Sequence, residues 1–263
     1  LASVSLANGL MFVFLSLGIG FSFAITPLTA EADGEKDVEK GKSIFQHGLL
    51  LCALLGFIIC GMLMASKSLM YYMKQPNEVV ALAIPYYEVI AFSMVPVMIF
   101  QGFKQFSDGL SLTKYAMQAT IIANLINVFF NYVLIYGKLG FPELGVVGSA
   151  YGTFIARVFM IVFMIYFMKT RKEFQPYLGR FYFSNIKKEV VKRICNIGYP
   201  TALQMWFEVT LFASGIFLAG AIGTNAQASN QIALNLASMT FMIAIGLGVT
   251  ATIRVGNQKG LKN

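Results

Sequence analysis

The stretch YAMQATIIANLINVFFNYVLIYG at residues 115–137 contains no charged side chain over 23 consecutive positions. Because an α-helix rises about 1.5 Å per residue, about 20 mostly apolar residues cross the hydrocarbon core of a bilayer. Strands of membrane barrels need only about 9–11 residues and alternate between polar and apolar positions, which this stretch does not do. The stretch therefore predicts a membrane-spanning α-helix.

Similar apolar runs lie on both sides of this stretch, at residues 1–30, 43–66, 79–103, 144–168 and 194–253. The last run is long enough for two helices, and the sequence GAIGTN at 220–225 is typical of a turn between them. Only His47, Glu88, Arg157 and Glu208 interrupt these runs with an acidic or basic side chain. The chain is therefore predicted to be an all-α membrane protein with seven transmembrane helices.

The composition of the chain supports this prediction. Hydrophobic residues make up 57% and charged residues 12% of the 263 positions, and the mean hydropathy is +0.68. Soluble domains contain about 45–50% apolar and about 25% charged residues. This difference excludes an ordinary soluble enzyme and a disordered regulator, and three cysteines are too few for a disulfide scaffold.

The 20 lysines and arginines are divided unequally between the two ends of the predicted helices. Loops on one side carry 16 of them and loops on the other side carry 3, while Arg157 lies inside a span. Because basic loops remain in the cytoplasm, residue 1 is predicted on the periplasmic side and residue 263 on the cytoplasmic side. The net charge of +8 then reflects membrane topology, and no nucleic-acid partner is expected.

A displacement of 226 residues aligns residues 1–34 with residues 227–260 without a gap. Eight positions are identical, among them Gly20/Gly246, Thr26/Thr252 and Gly34/Gly260. Both copies run in the same direction across the membrane, which predicts a parallel repeat about an axis along the membrane normal. The repeat predicts about twelve helices in two halves of six, of which this chain would hold helices 2 to 8.

The predicted domains are a partial first lobe at 1–168, a linker at 169–193 and a partial second lobe at 194–263. The linker is predicted on the cytoplasmic side, and Pro176 and Gly179 interrupt it. Ile186, Val190 and Ile194 follow one another at steps of four near its end. This spacing is typical of an amphipathic turn at the membrane surface and equally of the solvated start of the next helix.

Glu208 is the strongest candidate for a functional residue because it falls near the middle of the sixth span. A charge in that position costs at least about 2.5 kcal/mol on insertion scales. Pro200, Gln204 and Glu208 step by four and share one helix face. A carboxyl group there can exchange a proton or Na⁺, and a structural ion pair is the alternative interpretation.

Other polar residues in the spans form weaker candidates. Asn124, Asn127 and Asn131 share a stripe that either holds helices together or lines a polar pocket. Arg157 and Glu88 are predicted to form a structural pair. His47 has no second histidine or cysteine at metal-ligand spacing, so no metal site is predicted. No nucleotide-binding or catalytic motif occurs, which favours ion-driven transport over an ATP-driven pump or an enzyme.

Four segments together resemble the multidrug and toxic compound extrusion (MATE) family, in its NorM-like branch. They are GIGFSFAITPLTAEADG at 18–34, NVFFNYVLIYG at 127–137, GYPTALQMWFEV at 198–209 and ASNQIALNLASMTFMIAIGLGVTATIRVGNQKG at 228–260. The resemblance covers essentially the whole chain. It implies a two-lobed, V-shaped bundle of twelve helices that exports organic cations or drugs in exchange for Na⁺ or H⁺ by alternating access.

The resemblance also implies roles for individual residues. Glu208 matches an acidic cation-binding site, and a polar pocket of the first lobe is matched by Asn127, Asn131 and Thr153. Another branch has Asp at the position of Asn131, so a proton relay there is not expected. By resemblance, Gln231 and Phe241 are expected to line the central substrate cavity. Gln204 and Asn235 are expected to line the same cavity because of their helical spacing. Acidic partners from helices 1 and 10 have no counterpart in this chain.

The expected partners are the lipid bilayer and small organic cations or drugs, in a monomeric transporter of the bacterial inner membrane that has no cofactor besides its coupling ion. A lipid-linked precursor flippase of the same superfamily is an alternative, but it calls for a first-lobe cavity ringed by arginine and lysine, and Arg157 is the one such residue inside a span. A membrane-embedded enzyme such as a prenyl transferase is a remote alternative. It requires Asp-rich repeats, and residues 31–35 are the nearest match, in a predicted solvated loop.

Overall fold

The computed structural model describes residues 2–67, 77–179, 186–222 and 224–261, with side-chain surroundings given except at 2–10, 77–82, 216–228 and 231. Every regular element in these ranges is helical. The α-helices in chain order are α1 (Ala2–Ser22), α2 (Ile25–Gly34), α3 (Val38–Ser66), α4 (Asn77–Phe92), α5 (Met94–Gly109), α6 (Thr113–Ile135), α7 (Gly145–Thr170), α8 (Lys188–Ile222) and α9 (Thr224–Gly260). A 3₁₀ turn at Gln175–Tyr177 lies between α7 and α8.

The predicted all-α membrane architecture is confirmed. Over the described residues, six segments are long and apolar enough to cross a membrane. They are Met11–Gly34, Val38–Ser66, Ala83–Gly109, Thr113–Ile135, Gly145–Thr170 and Ile232–Gly260. The remaining predicted span, the sixth in chain order at 194–219, lies within the long helix α8. The described part of α8 is not among these six segments.

Two of the predicted continuous helices are broken in the structure. The run at 1–30 divides at residues 23–24 into α1 and α2, and the run at 79–103 divides at Ser93 into α4 and α5. Pro27 and Pro96 are each the third residue of the helix after the break. Proline lacks an N–H group, and its ring clashes with the carbonyl four residues earlier, so the preceding helix ends before it.

The interior of the bundle is built from α1 to α5 and closed on one side by the α6–α7 hairpin. Tyr87, Phe106, Met98 and Leu63 are fully buried there. The rings of Phe45 and Phe106 pack with centroids 4.4 Å apart. Burial of these side chains holds α3, α4 and α5 together, since each buried large apolar side chain contributes about 1.5–3 kcal/mol.

Helix α8 packs against α1 and is anchored at its start to α3. Thr201 Oγ1 donates a hydrogen bond to the carbonyl of Gly20 at 2.8 Å, and a Cβ at Gly20 would collide with the Thr201 carbonyl. His47 is 2% exposed and accepts the Lys187 N–H at 2.9 Å through Nε2. Its Nδ1 donates to the Ser43 carbonyl at 2.7 Å, so His47 fixes the approach of the chain to α8.

The predicted linker at 169–193 is helical at both ends, because α7 continues to Thr170 and α8 begins at Lys188. Between them, Phe174 is fully buried and its ring packs 5.3 Å from that of Tyr115. Ile194 is also fully buried, whereas Ile186 is exposed. Ile194 therefore packs inward from the first turns of α8, and Ile186 precedes this helix.

Helices α2 and α9 run in parallel and meet near their carboxyl ends. A Cβ on Gly34 would collide with the Asn257 carbonyl, and a Cβ on Gly260 would collide with the Glu31 carbonyl. Under the displacement of 226 residues, these two contacts are copies of each other. Gly256 also meets its own counterpart, Ala30. Reciprocal contacts of this kind are the pattern that an approximate two-fold axis between α2 and α9 produces.

Candidate functional site

The candidate ion-binding residue lies on α8, which Pro200 enters without ending the helix. Glu208 is partly buried, and Gln204, one turn earlier on the same face, is exposed. Within the described part of the chain, the Glu208 side chain makes no hydrogen bond or ion pair with another side chain. The predicted structural ion pair of Glu208 is therefore not formed among these residues, and its carboxylate is available to a ligand.

The α9 residues assigned to the substrate cavity lie on an open face of the helix. Asn235 is exposed, and Phe241 is 46% exposed. The side chain of Gln231 lies outside the described residues. Among the described residues, no hydrogen bond joins α9 to Glu208 or Gln204, and these candidates lie on two helices that are consecutive in the chain.

The polar residues of α6 and α7 form a connected cluster. Asn131 Nδ2 donates to Asn127 Oδ1 at 3.1 Å, and Asn127 Nδ2 donates to Thr153 Oγ1 at 3.4 Å. Thr153 Oγ1 donates in turn to the Ser149 carbonyl at 2.9 Å. Asn124 is exposed and does not join the cluster.

The side-chain oxygen of Asn131 packs closely against Gly152 and accepts no hydrogen bond from a described group. A side chain at Gly152 would collide with Asn131 Oδ1, so glycine at this position makes room for the amide. Among the described residues, this buried oxygen has no hydrogen-bond donor. The cluster is uncharged, and the Asn131 side-chain oxygen keeps an acceptor position that no described group uses.

The predicted pair between Arg157 and Glu88 is wrong. Glu88 Oε1 lies 2.6 Å from Lys67 Nζ, which reaches it from the end of α3. Arg157 Nη1 instead donates to Ser93 Oγ at 2.5 Å. Ser93 lies between the end of α4 and the start of α5, so Arg157 bonds to a helix break that was not among the predictions.

A charged cluster that was not predicted surrounds Glu31. Residues 31–35 were predicted to be a solvated loop, but α2 continues to Gly34 and Glu31 is 7% exposed. Arg193, Lys259 and Lys40 surround its carboxylate. The position of Glu31 immediately after an uncharged run of 30 residues is the signal that could have indicated its burial.

No group of three or more histidine, cysteine, aspartate and glutamate side chains suited to a metal ion occurs among the residues that the structure describes. Cys52 and Cys60 are buried, and Cys195 is partly buried. All three are free thiols, so they contribute to packing as small apolar side chains.

Comparison with known proteins identifies the relatives of the chain. The MatE family model matches residues 1–133 and 200–263. The Multidrug resistance protein NorM of Vibrio parahaemolyticus is 31% identical over 265 residues, which cover 100% of this chain and 58% of that protein. The Probable multidrug resistance protein NorM of Agrobacterium fabrum is 30% identical over 260 residues, which cover 99% of this chain and 56% of its own length.

Solved structures agree with the family match. A crystal structure of MATE in the bent conformation is 26% identical and superposes with a TM-score of 0.84 over 100% of this chain and 58% of that chain. The predicted resemblance and the predicted fold class are therefore confirmed. The chain spans less than two thirds of the length of these relatives.

Proposed function

The chain belongs to the MatE family, and we propose that it acts in a secondary active transporter for multidrug efflux. In this proposal, organic cations or drugs leave the cell in exchange for Na⁺ or H⁺ by alternating access. Relatives named as multidrug resistance proteins match the chain over its whole length. The observation that carries the proposal is Glu208, a carboxylate within α8 that has no basic partner among the described residues.

Glu208 can couple ion binding to transport because its charge is costly inside a membrane. An ionised carboxylate there costs at least about 2.5 kcal/mol, and a bound Na⁺ or proton offsets this cost. The ion favours one orientation of the transporter to the extent that its affinity for Glu208 differs between orientations. Helix α8, which carries Glu208, also packs directly on α1 through the hydrogen bond from Thr201 to Gly20.

The substrate is assigned to the face next to this carboxylate. Gln204, Asn235 and Phe241 are exposed on α8 and α9, and they offer amide and aromatic contacts to an organic cation. Gln231 is assigned to the same cavity by resemblance. The cluster of Asn127, Asn131 and Thr153 is assigned to a second polar pocket, where uncharged amides favour hydrogen bonding to a ligand over a proton relay.

We place the protein in the bacterial inner membrane as a monomer, with the residue 1 side periplasmic and the residue 263 side cytoplasmic. The distribution of basic residues, 16 on one side and 3 on the other, supports this orientation.

The test is dye efflux by the protein expressed from its complete gene and reconstituted in liposomes. A Na⁺ gradient and a pH gradient are imposed separately, and efflux of a fluorescent organic cation is recorded. The parent is expected to respond to at least one gradient. Glu208→Gln removes the charge at nearly constant volume, and its efflux is expected to fall to the level of empty liposomes.

Glu189→Gln is the matched control, because Glu189 lies exposed in the first turn of the same helix. This variant is expected to transport like the parent. Unchanged efflux by Glu208→Gln would overturn the ion-site assignment. A parent that moves the dye equally with and without either gradient would overturn ion-coupled antiport itself.

A further inference from the structure

One carboxylate, Glu31 of α2, holds basic side chains from three other helices. Glu31 Oε1 accepts a hydrogen bond from Arg193 Nη2 of α8 at 2.6 Å and lies 3.3 Å from Lys40 Nζ of α3. Glu31 Oε2 lies 3.1 Å from Lys259 Nζ of α9. Two of these three contacts join α2 to α8 and α9, the last two helices described.

The contacts of Glu31 coincide with the place where α9 comes closest to α2. On α9, Ile253, Gly256 and Gly260 are buried, whereas Ile232 and Leu247 are 64% and 69% exposed. The two helices therefore touch at the end that carries Glu31 and leave α9 open towards its other end. The touching end is the one with the greater number of lysines and arginines.

Because Glu31 is buried, its charge depends on its basic partners to offset the lost hydration. A carboxylate withdrawn from water needs charged or hydrogen-bonding partners to offset the lost hydration. If α2 separated from α8 and α9, Glu31 would lose Arg193 and Lys259 and keep only Lys40, which also lies 2.6 Å from Glu35. The cluster therefore favours the arrangement in which this end is closed.

We propose that Glu31 is the residue that holds the lysine-rich end of the protein closed, and that its bonds to Arg193 and Lys259 must break when this end opens. This inference rests on the proposed transport function, in which the two ends open alternately. Glu31 acts as a positioning residue because it sets the balance between the closed and open arrangements. Arg193 and Lys259 are the partners that move away from Glu31 together with α8 and α9.

The test measures access to the closed end. Ile253 is 7% exposed on α9, one turn before Gly256, so a cysteine there is shielded while the end is closed. In the protein expressed from its complete gene, Cys52, Cys60 and Cys195 are replaced and Ile253→Cys is introduced. Its reaction rate with a membrane-impermeant maleimide is measured from each face of membrane vesicles.

Glu31→Gln is expected to raise the labelling rate of this cysteine several-fold from the lysine-rich face only. Arg193→Gln is expected to act in the same direction, and it serves as a second variant because the Arg193 side chain is 42% exposed and its loss leaves little buried surface. Glu35→Gln is the matched control. It also removes an ion pair of Lys40 at this end, but that pair does not reach α8 or α9.

A second probe separates opening from general loosening of the fold. Asn235→Cys lies on the exposed part of α9 away from Glu31. Opening of the lysine-rich end is expected to slow its labelling from the opposite face, whereas a loosened protein would label faster at both probes. The proposal is overturned if Glu31→Gln labels Ile253→Cys no faster than the parent, if Glu35→Gln has the same effect, or if both probes speed up.

Gradient-driven dye efflux by the parent in the same vesicles keeps the two proposals apart. If the parent transports but Glu31→Gln does not change the labelling, the inference about Glu31 is wrong and the transport function stands. If the parent does not transport, the proposed function fails, and the labelling still reports whether Glu31 holds the end closed.

Discussion

The two copies of the internal repeat have similar sequences and different conformations. Residues 2–34 form two helices, α1 and α2, that break at residues 23–24. Their counterpart in the second copy is part of α9, which runs unbroken from Thr224 to Gly260. The position of Pro27 in the first copy is occupied by Ile253 in the second. Proline at this position disfavours a continuous helix, whereas isoleucine is compatible with one.

The break changes what an identical side chain does. Thr26, just past the break, donates from Oγ1 to Gln105 Oε1 of α5 at 2.7 Å. Its counterpart Thr252 donates to the Gly248 carbonyl of its own helix at 2.9 Å. A broken helix thus directs a polar group to a neighbour, whereas an unbroken helix uses the same group internally.

Exchanging the residues at this position has the largest expected effect. Ile253→Pro removes a backbone hydrogen bond from the interior of α9 and is expected to destabilise the protein by about 3 kcal/mol or more. Pro27→Ile introduces the residue of the second copy and is expected to cost less, because a β-branched residue is compatible with helix. Thermal unfolding in detergent, followed by a thiol-reactive dye that reaches buried Cys52 and Cys60, measures both. Equal losses would show that Pro27 does not cause the break.

An intermediate effect is expected from the paired glycines Gly20 and Gly246. A Cβ at Gly20 would come 2.7 Å from the Thr201 carbonyl, which cannot move freely because it belongs to the backbone of α8. Gly20→Ala is therefore expected to destabilise the protein by about 1–3 kcal/mol.

At Gly246, no atom described lies within 4 Å of an added Cβ. Gly246→Ala is expected to be neutral or to stabilise α9 by up to about 1 kcal/mol, since alanine restricts the unfolded chain. The same unfolding measurement applies to both variants. A loss at Gly246 as large as that at Gly20 would contradict the difference between the close backbone contact described at Gly20 and the space described at Gly246.

The smallest expected effect concerns the paired threonines. Thr26→Ala leaves buried oxygens of Gln105 without their donor and is expected to destabilise the protein by about 1 kcal/mol. Thr252→Ala removes only an exposed bond within its own helix and is expected to change stability by less than about 0.5 kcal/mol. Matching Thr→Val variants, which keep the shape, separate the hydrogen bond from packing. Equal effects at both threonines would show that the hydrogen bond between α2 and α5 adds no stability beyond that of a bond within one helix.

Much of the fold was predictable from local patterns. Long uncharged runs predicted the membrane helices, because each side chain is transferred into lipid largely independently of its neighbours. The breaks were not predicted, although Pro27 and Pro96 are visible in the sequence. Pro85 and Pro200 lie within helices that continue, so the outcome depends on neighbours that hold or release the freed backbone groups.

The candidate site was predictable to a smaller extent. Helical spacing placed Asn127 and Asn131 on one face of α6, and the structure joins them by a hydrogen bond. The partners of Glu88 and Arg157 were predicted wrongly, because Lys67 and Ser93 come near them only through the packing of separate helices. The role of Glu208 remains a prediction from its position and resemblance.

The sequence by itself determined the membrane class, the helical segments and the unequal distribution of basic residues. These properties follow from composition over short stretches, where hydrophobic transfer and helix geometry act locally. Only the tertiary structure decided that Glu31 is buried and meets Arg193, 162 residues further along the chain. The physical reason is that a charge pair depends on which helix ends are brought together, and close contacts at Gly34, Gly256 and Gly260 bring these ends together.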